Sequence, residues 1–321
     1  LSLSEYTTLR LGGPAERLVE ATTDEELIAA ARDGAFVLAG GSNVVIGDDG
    51  VPSVVLVRTR GIAVEGDVVH AAAGEVWDDL VRFAIARGRS GIECLSGIPG
   101  SVGATPIQNV GAYGQEVSDT IISVRAWDRA RDAVVDLAPE ACGFGYRDSA
   151  FKRSPGAFVV LRVSFRLPAD HAPRLLRYGE LAAAVGESPS LEDVRAAVLA
   201  LRRGKGMVLD AGDHDTWSAG SFFTNPFVPA DALPEGAPRW ADGSDPGRVK
   251  TSAAWLIQHA GFARGYGNPE GIAISTKHVL ALTNRGGGTT RELVALAREI
   301  QDGVQRAFGI RLEPEPVFVR T

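Results

Sequence analysis

Cysteine is almost absent from this chain: there are two, Cys94 and Cys142. They form no C-x-x-C pair, and the five histidines (His70, His171, His214, His259, His278) show no ligand spacing, so no metal site is expected. Two isolated thiols read as buried and reduced, as in a cytoplasm, where disulfides are rare. Long apolar runs are missing too; none approaches the ~18–20 residues of a membrane span. The first residues, Leu1-Ser2-Leu3-Ser4-Glu5, lack a basic region followed by an apolar core, so no signal peptide is read there. The missing initiator Met points to a trimmed start. Excess positive charge is also lacking: 33 basic against 40 acidic residues give −7. That argues against non-specific nucleic-acid binding and leaves room for a local basic pocket. Neither G-x-G-x-x-G nor G-x-x-x-x-G-K-[ST] occurs, so this is not a Rossmann or P-loop phosphate site.

What the chain does have is glycine in two informative places. The run Ile98-Pro99-Gly100-Ser101-Val102-Gly103-Ala104-Thr105-Pro106-Ile107-Gln108-Asn109-Val110-Gly111-Ala112-Tyr113-Gly114 carries four Gly and two Pro and no charge. Glycine lets backbone N–H groups approach a ligand and takes φ > 0 at little cost. Successive N–H groups in such turns make concave anion sites. The earlier run Leu38-Ala39-Gly40-Gly41-Ser42-Asn43-Val44 has the same character. Alone it would read equally as a simple turn. Together the two suggest two hands on one large phosphorylated cofactor. A stretch as long as Ile98–Gly114 without regular structure is usually functional.

At 321 residues, 45% apolar and 23% charged, the chain is an ordinary globular sequence of two or three domains. Thr23 to Glu26 is a capping box opening a helix through Asp33. Strands are expected at Phe36–Leu38, Val54–Val57 and Val68–Ala73, and a helix over Glu75–Arg87 with Trp77, Leu80, Val81, Ala84 and Ile85 on one face. Further strands are read at Ser123–Trp127, Val134–Leu137 and Phe158–Leu167. The last turns Val159, Leu161, Val163, Phe165 and Leu167 inward, with Arg162, Ser164 and Arg166 on the other face. Ser190 and Asp193 cap a helix over Leu191–Arg203, and a domain boundary is placed near Asp210–Asp215. Beyond it come a helix at Ser252–Ala260, a strand at Val279–Thr283, a helix from Arg291 to Phe308 stopped by Gly309, and a terminal strand over Ile310–Val319.

Three short segments carry charge or hydroxyls beside glycine or proline. In Gly145-Tyr146-Arg147-Asp148-Ser149 an arginine suits a planar carboxylate, although a local Arg–Asp surface pair fits the spacing equally. Ser218-Ala219-Gly220-Ser221-Phe222-Phe223-Thr224-Asn225-Pro226 is either a site turn or an apolar turn docking a domain. Glu313-Pro314-Glu315 holds two carboxylates on extended backbone, or forms a solvated edge.

In sequence order, Gly40–Asn43, Ile98–Gly103, Pro106–Gly114, Tyr146–Lys152, Gly220–Pro226 and Leu312–Glu315 resemble the motifs of the UDP-N-acetylenolpyruvoylglucosamine reductase family, the MurB-type flavoenzymes of peptidoglycan precursor synthesis. They span nearly the whole chain. Arg177-Tyr178-Gly179-Glu180-Leu181 resembles the type I branch, in which a loop tyrosine folds over the substrate. The resemblance implies an α+β fold in three domains: a two-domain FAD-binding fold of the PCMH/VAO type and a C-terminal α+β substrate domain. The boundaries are set at 1–60 (with 309–321 returning to it), 61–205 and 206–308.

The same resemblance implies non-covalent FAD, NADPH as co-substrate, and reduction of UDP-N-acetylglucosamine enolpyruvate to UDP-N-acetylmuramate by a cytoplasmic monomer. By position it implies Ser221 as proton donor, Arg147 on the substrate carboxylate and Glu315 as the acid assisting at the enol stage. Gly40, Gly41, Ser42, Asn43, Gly100, Ser101, Gly103, Asn109, Gly111 and Ala112 would hold the cofactor. Tyr178, Lys205, Asn225 and Tyr113 would hold the substrate, with Arg202 a weaker candidate. Val317 departs from the family, whose members often carry Arg there; Lys277 or His278 could stand in, and Glu313 competes with Glu315. An oxidase on the same cofactor fold is a second reading, but neither Gly-rich loop has the His or Cys that commonly tethers FAD in such enzymes. A non-catalytic nucleotide-binding protein is a third, and the joint presence of Arg147, Ser221 and Glu315 argues against it.

Overall fold

The computed structural model describes residues 1–173, 179–243 and 245–321. They divide into two compact units. The first holds Leu1, Ala15–Gly41 and Pro52–Val208; the second holds Ser2–Pro14, Ser42–Val51 and Leu209–Thr321.

The first unit is built on a five-stranded antiparallel sheet in the order Ala133–Leu137, Ile121–Asp128, Phe158–Arg166, Val68–Ala72, Ile62–Glu65. Beside it Phe36–Leu38 pairs in parallel with Val51–Val57, with Phe36 opposite Val54. The helix Asp24–Arg32 starts at the expected capping box: Thr23 Oγ1 accepts from Glu26 N, and Glu26 Oε2 accepts from Thr23 N. The helix Trp77–Ile85 buries the five residues its period selects, and the Trp77 ring packs 5.9 Å from that of Phe165. The strand Phe158–Arg166 departs from strict alternation: Val160 and Ser164 are buried as well. Its register slips between Val160 and Arg162 and again between Ser164 and Phe165, which turns successive side chains to the same side. Ser164 Oγ is satisfied there at 2.7 Å from His70 Nδ1.

The Gly/Pro run is more ordered than its composition predicts. A 3₁₀ turn, Val102–Ala104, leads into a short helix, Thr105–Gln108, with Pro106 in its first turn, where the missing N–H costs nothing. Asn109 closes that helix in the left-handed region (φ 43°). Gly111–Ala112 and Gln115–Glu116 then pair as a hairpin around Tyr113-Gly114, both at positive φ.

In the second unit Val317–Val319 pairs in parallel with Val44–Ile46. Among the described residues the rest of the expected terminal strand makes one isolated bridge, Pro314 to Phe223, flanked by Glu315 N donating to Phe222 O and Thr224 N donating to Glu313 O. The strand expected over Val279–Thr283 falls at Leu282–Asn284, antiparallel to Ile272–Ile274. The long helix Thr290–Phe308 buries Leu293, Leu296, Ala297, Ile300 and Val304 along one face and ends at Gly309 (φ 69°). Its first N–H groups are met from afar: Asp48 accepts from Thr290 N at 2.8 Å and from Arg291 N at 3.0 Å.

Both cysteines are buried and free. Burial pushes the Cys94 thiol up to about 12 and that of Cys142 to about 11, so neither is a thiolate at neutral pH. No helix among the described residues is long and apolar enough to cross a membrane.

Candidate active site

Backbone crossing comes first in the first unit. A Cβ on Gly40 would lie 2.5 Å from Gly100 Cα, so the two Gly-rich turns touch main chain to main chain. A Cβ on Gly103 would lie 2.5 Å from Ala73 Cβ. Gly41 (φ 60°) and Gly100 (φ 120°) occupy backbone regions that other L-residues avoid. The far side of the Gly100–Gly103 turn is pinned, with Trp77 N donating to Gly100 O and Val102 N donating to Glu75 O. Asp78 holds its approach: the carboxylate accepts from Gly97 N at 2.6 Å and from both Arg195 Nη atoms at 2.7 Å. Burial pushes Asp78 upward, but these donors outweigh it and hold the carboxyl below its ordinary range.

Two groups in this crossing are buried and unused. Ser101 Oγ has no hydrogen-bond partner, and Gly41, also buried, donates its N–H to no described residue. Buried polar groups are nearly always paired, so these two are free to receive a ligand oxygen. A diphosphate-bearing cofactor fits these residues. Replacing Gly40 by Ala pushes the turns apart against rigid backbone, at about 1–3 kcal/mol. We expect Gly40→Ala to lose FAD on gel filtration, read as the ratio of flavin to protein absorbance. Full retention would remove Gly40 from the cradle.

Asn109 and Arg147 belong to one hydrogen-bonded frame. The Asn109 side chain, fully buried, donates from Nδ2 to Gly145 O and Glu116 Oε2 and accepts from Ser118 N. It is a clasp inside the unit. Arg147 lies in the tight turn Gly145–Asp148 at φ 51°, its Nη2 donating to Gly111 O at 2.5 Å. Asp148 pairs with Arg153 rather than with Arg147, so the local Arg–Asp reading does not hold. Tyr113 and Lys205 are also brought together: the ammonium lies 5.8 Å over the ring and pairs with Glu180 at 2.7 Å. Arg202 donates to Met207 O, its Nε has no partner, and burial pulls it down to about 10. Tyr178 lies outside the described residues.

The second unit carries the remaining candidates. The Ser221 turn is tied to the Glu315 segment: Phe222 O accepts from Glu315 N at 2.9 Å, and Glu313 O accepts from Thr224 N at 3.1 Å. Phe222 and Phe223 are both buried, which anchors the turn and leaves Ser221 half-exposed beside them. Ser221 Oγ makes no hydrogen bond to a described residue. Glu315 is half-buried and Glu313 exposed. Asn43 O accepts from Val317 N, and Asn43 Nδ2 donates to Glu315 O. Asn225 Oδ1 accepts from Ala253 N, at the start of the helix Ala253–His259, which fixes its amide. Lys277 Nζ pairs with Asp213 at 2.5 Å.

The FAD binding domain family matches residues 15–138, the stretch that holds both Gly-rich turns. The family described as UDP-N-acetylenolpyruvoylglucosamine reductase, C-terminal domain, matches residues 212–319, the stretch that ties Ser221 to Glu315. A UDP-N-acetylenolpyruvoylglucosamine reductase of Salinispora arenicola is 53% identical, covering 99% of this chain and 94% of its own. One of Streptomyces avermitilis is 51% identical, covering 99% and 93%. This chain belongs to the UDP-N-acetylenolpyruvoylglucosamine reductase family. A crystal structure of the reductase from Thermus caldophilus superposes with a TM-score of 0.70 at 28% identity, over 99% of this chain and 97% of that one.

Membership makes the protein an FAD-containing oxidoreductase of α+β fold. Lys152 closes the motif Tyr146–Lys152, which gives it no role; Asp78 leaves no local signal, because its partners Gly97 and Arg195 are distant in sequence.

Proposed function

We propose that this chain catalyses the NADPH-dependent reduction of UDP-N-acetylglucosamine enolpyruvate to UDP-N-acetylmuramate, in the cytoplasm, as a monomer, and so serves peptidoglycan synthesis and with it cell shape and division. The two buried free thiols suit a reducing compartment. The observation that carries the reaction is the tie between the Ser221 turn and the Glu315 segment. It sets a hydroxyl and a carboxyl on adjoining backbone, as a proton-delivery step requires.

When bound, FAD supplies the hydride chemistry, taking a hydride from NADPH and giving one to C3 of the enolpyruvyl group. Gly41 N–H and Ser101 Oγ would receive oxygens of the cofactor, with Gly40, Ser42, Asn43, Gly100, Gly103, Gly111 and Ala112 shaping the backbone around it. Arg147 binds the substrate carboxylate and stabilises the negative charge that develops on C2 and the carboxylate. Fixed charge in a dry site is worth several kcal/mol, roughly 2.7–4 per donor lost. Ser221 delivers a proton to C2, completing the saturated lactyl ether. Glu315 hydrogen-bonds the enol form of the carboxylate. Glu313 is the weaker choice because it faces solvent. Lys205, Tyr113, Asn225 and Tyr178 hold the UDP part, Lys205 exchanging Glu180 for a diphosphate oxygen. In this division 1–60 with 309–321, and 61–205, form the FAD-binding fold and 206–308 the substrate domain, with Arg147, Lys205, Tyr113, Tyr178 and Glu315 reaching the substrate from the former.

An absorbance spectrum tests this directly. Oxidised-flavin bands should bleach on anaerobic NADPH and return with the enolpyruvyl substrate. Bands that return only with oxygen would favour an oxidase. A protein that takes up no FAD would overturn the reading.

A further inference from the structure

We propose that Lys152 is a positioning residue for this reduction: its ammonium locks the left-handed turn that aims the Arg147 guanidinium. The inference rests on the reading of Arg147 given above and extends it.

The turn is closed by Gly145 N donating to Asp148 O at 3.0 Å and by Asp148 N donating to Gly145 O at 3.2 Å. Arg147 is its third residue, at φ 51°. With φ > 0 there, the position ordinarily falls to glycine or asparagine. A long, charged side chain persists in such a place only when its surroundings over-determine it. Here they do. Lys152 Nζ donates to Arg147 O at 2.9 Å and to Gln108 Oε1 at 3.1 Å. The carbonyl it holds is the one whose direction the left-handed conformation sets.

Lys152 is itself fixed at both ends. Ser149 Oγ accepts from Lys152 N at 3.1 Å, capping the short helix Ala150–Arg153, and donates to Ile107 O at 2.7 Å. Lys152 is half-buried and pairs with no carboxylate among the described residues. Its charge is spent on two neutral oxygens, where charge-assisted bonds are strong. A lysine retained only for solubility would point its ammonium into water instead. The opposite side of the turn is held by Asn109 Nδ2, which donates to Gly145 O at 2.9 Å. Arg147 Nη1 and Nη2 in turn donate to Asn109 O and Gly111 O. The turn that carries Arg147 and the segment Ile107–Gly111 are thus stitched into one frame, and Lys152 is the member that grips the arginine's own main chain. Without it the turn is free to relax to negative φ, which swings the guanidinium away from its bearing.

The test is anaerobic stopped-flow on the FAD-loaded protein, with calorimetric affinity for the enolpyruvyl substrate as a second readout. Lys152→Met should leave the bleaching by NADPH unchanged, weaken substrate affinity, and slow recovery of the flavin bands by about 100-fold, the usual cost of an ~1 Å misplacement. Lys152→Arg, which keeps the donor and the charge, should restore most of both. In an Arg147→Ala background the same Met substitution should change the rate by no more than about twofold, because its effect passes through the missing guanidinium. Full additivity in that background, equal slowing of both half-reactions, or no effect at all would each overturn the proposal. Should Lys152→Met fail to retain FAD, the same comparisons on Lys152→Gln decide the matter. If Arg147→Ala alone leaves substrate reduction intact, the role of Arg147 falls first, which separates that failure from this one.

Discussion

Ser221→Ala should be reduced by NADPH at the wild-type rate and should then pass reducing equivalents to the enolpyruvyl substrate about 10²–10⁴-fold more slowly, the range for loss of a positioned general acid. The asymmetry follows from where the proton is needed. Reduction by NADPH calls for none from this side chain, whereas saturating C2 requires one at a stated atom. The turn is built to keep its backbone in place when the hydroxyl is removed. Gly220 supplies the positive φ (74°), Phe222 and Phe223 fill the core, and the main chain is bonded to Leu280 O and Glu315 N. Ser221 Oγ takes no part in those bonds, so alanine removes it without loosening the fold. Stopped-flow absorbance separates the two half-reactions. Equal slowing of both would make Ser221 structural.

Arg147→Ala should cut the rate of substrate reduction by about 10²–10³-fold, matching the loss of one preorganised donor set. Substrate affinity should fall with it, since in the proposed mechanism the same guanidinium grips the carboxylate before and during reaction. Arg147→Lys should recover only part, because an ammonium lacks the planar fork that meets two carboxylate oxygens. The backbone adds a check. Arg147 holds a left-handed conformation that alanine also resists, so Arg147→Ala keeps that strain while losing the guanidinium bonds to Asn109 O and Gly111 O. Arg147→Gly relieves the strain and should be the more thermostable of the two while equally slow. If the glycine variant reduces substrate at the wild-type rate, the arginine is there only to build the turn.

Much of the local structure was legible because its causes lie within one turn of chain. Thr23 with Glu26, Ser190 with Asp193 and Thr289 with Glu292 each cap a helix reciprocally, as their spacing dictates. The period of Trp77, Leu80, Val81, Ala84 and Ile85 is likewise a property of consecutive residues. Misreadings arose where partners are remote. Alternation along Phe158–Arg166 broke because the strand slips register against its neighbour, which no single strand encodes. The tail after Gly309 looked extended throughout, yet only Val317–Val319 found a parallel partner in Val44–Ile46. The resemblance places Asn109 at the cofactor; what no local spacing announces is that its side-chain amide bonds Glu116, Gly145 and Ser118.

By itself, then, the sequence determined the helix caps, the glycines needed at positive φ, and the motif order from Gly40 to Glu315 that marks the family, since these depend on residue type and short spacing. Only the tertiary structure decided that Gly40 meets Gly100 backbone to backbone, that Asp48 caps the helix Thr290–Phe308, and that the Ser221 turn is bonded to the Glu315 segment. Each of these joins residues far apart in the chain. Their pairing is chosen by how the buried side chains pack around them, Phe222, Phe223 and Leu312 among them, and close packing is a property of the whole fold rather than of any segment.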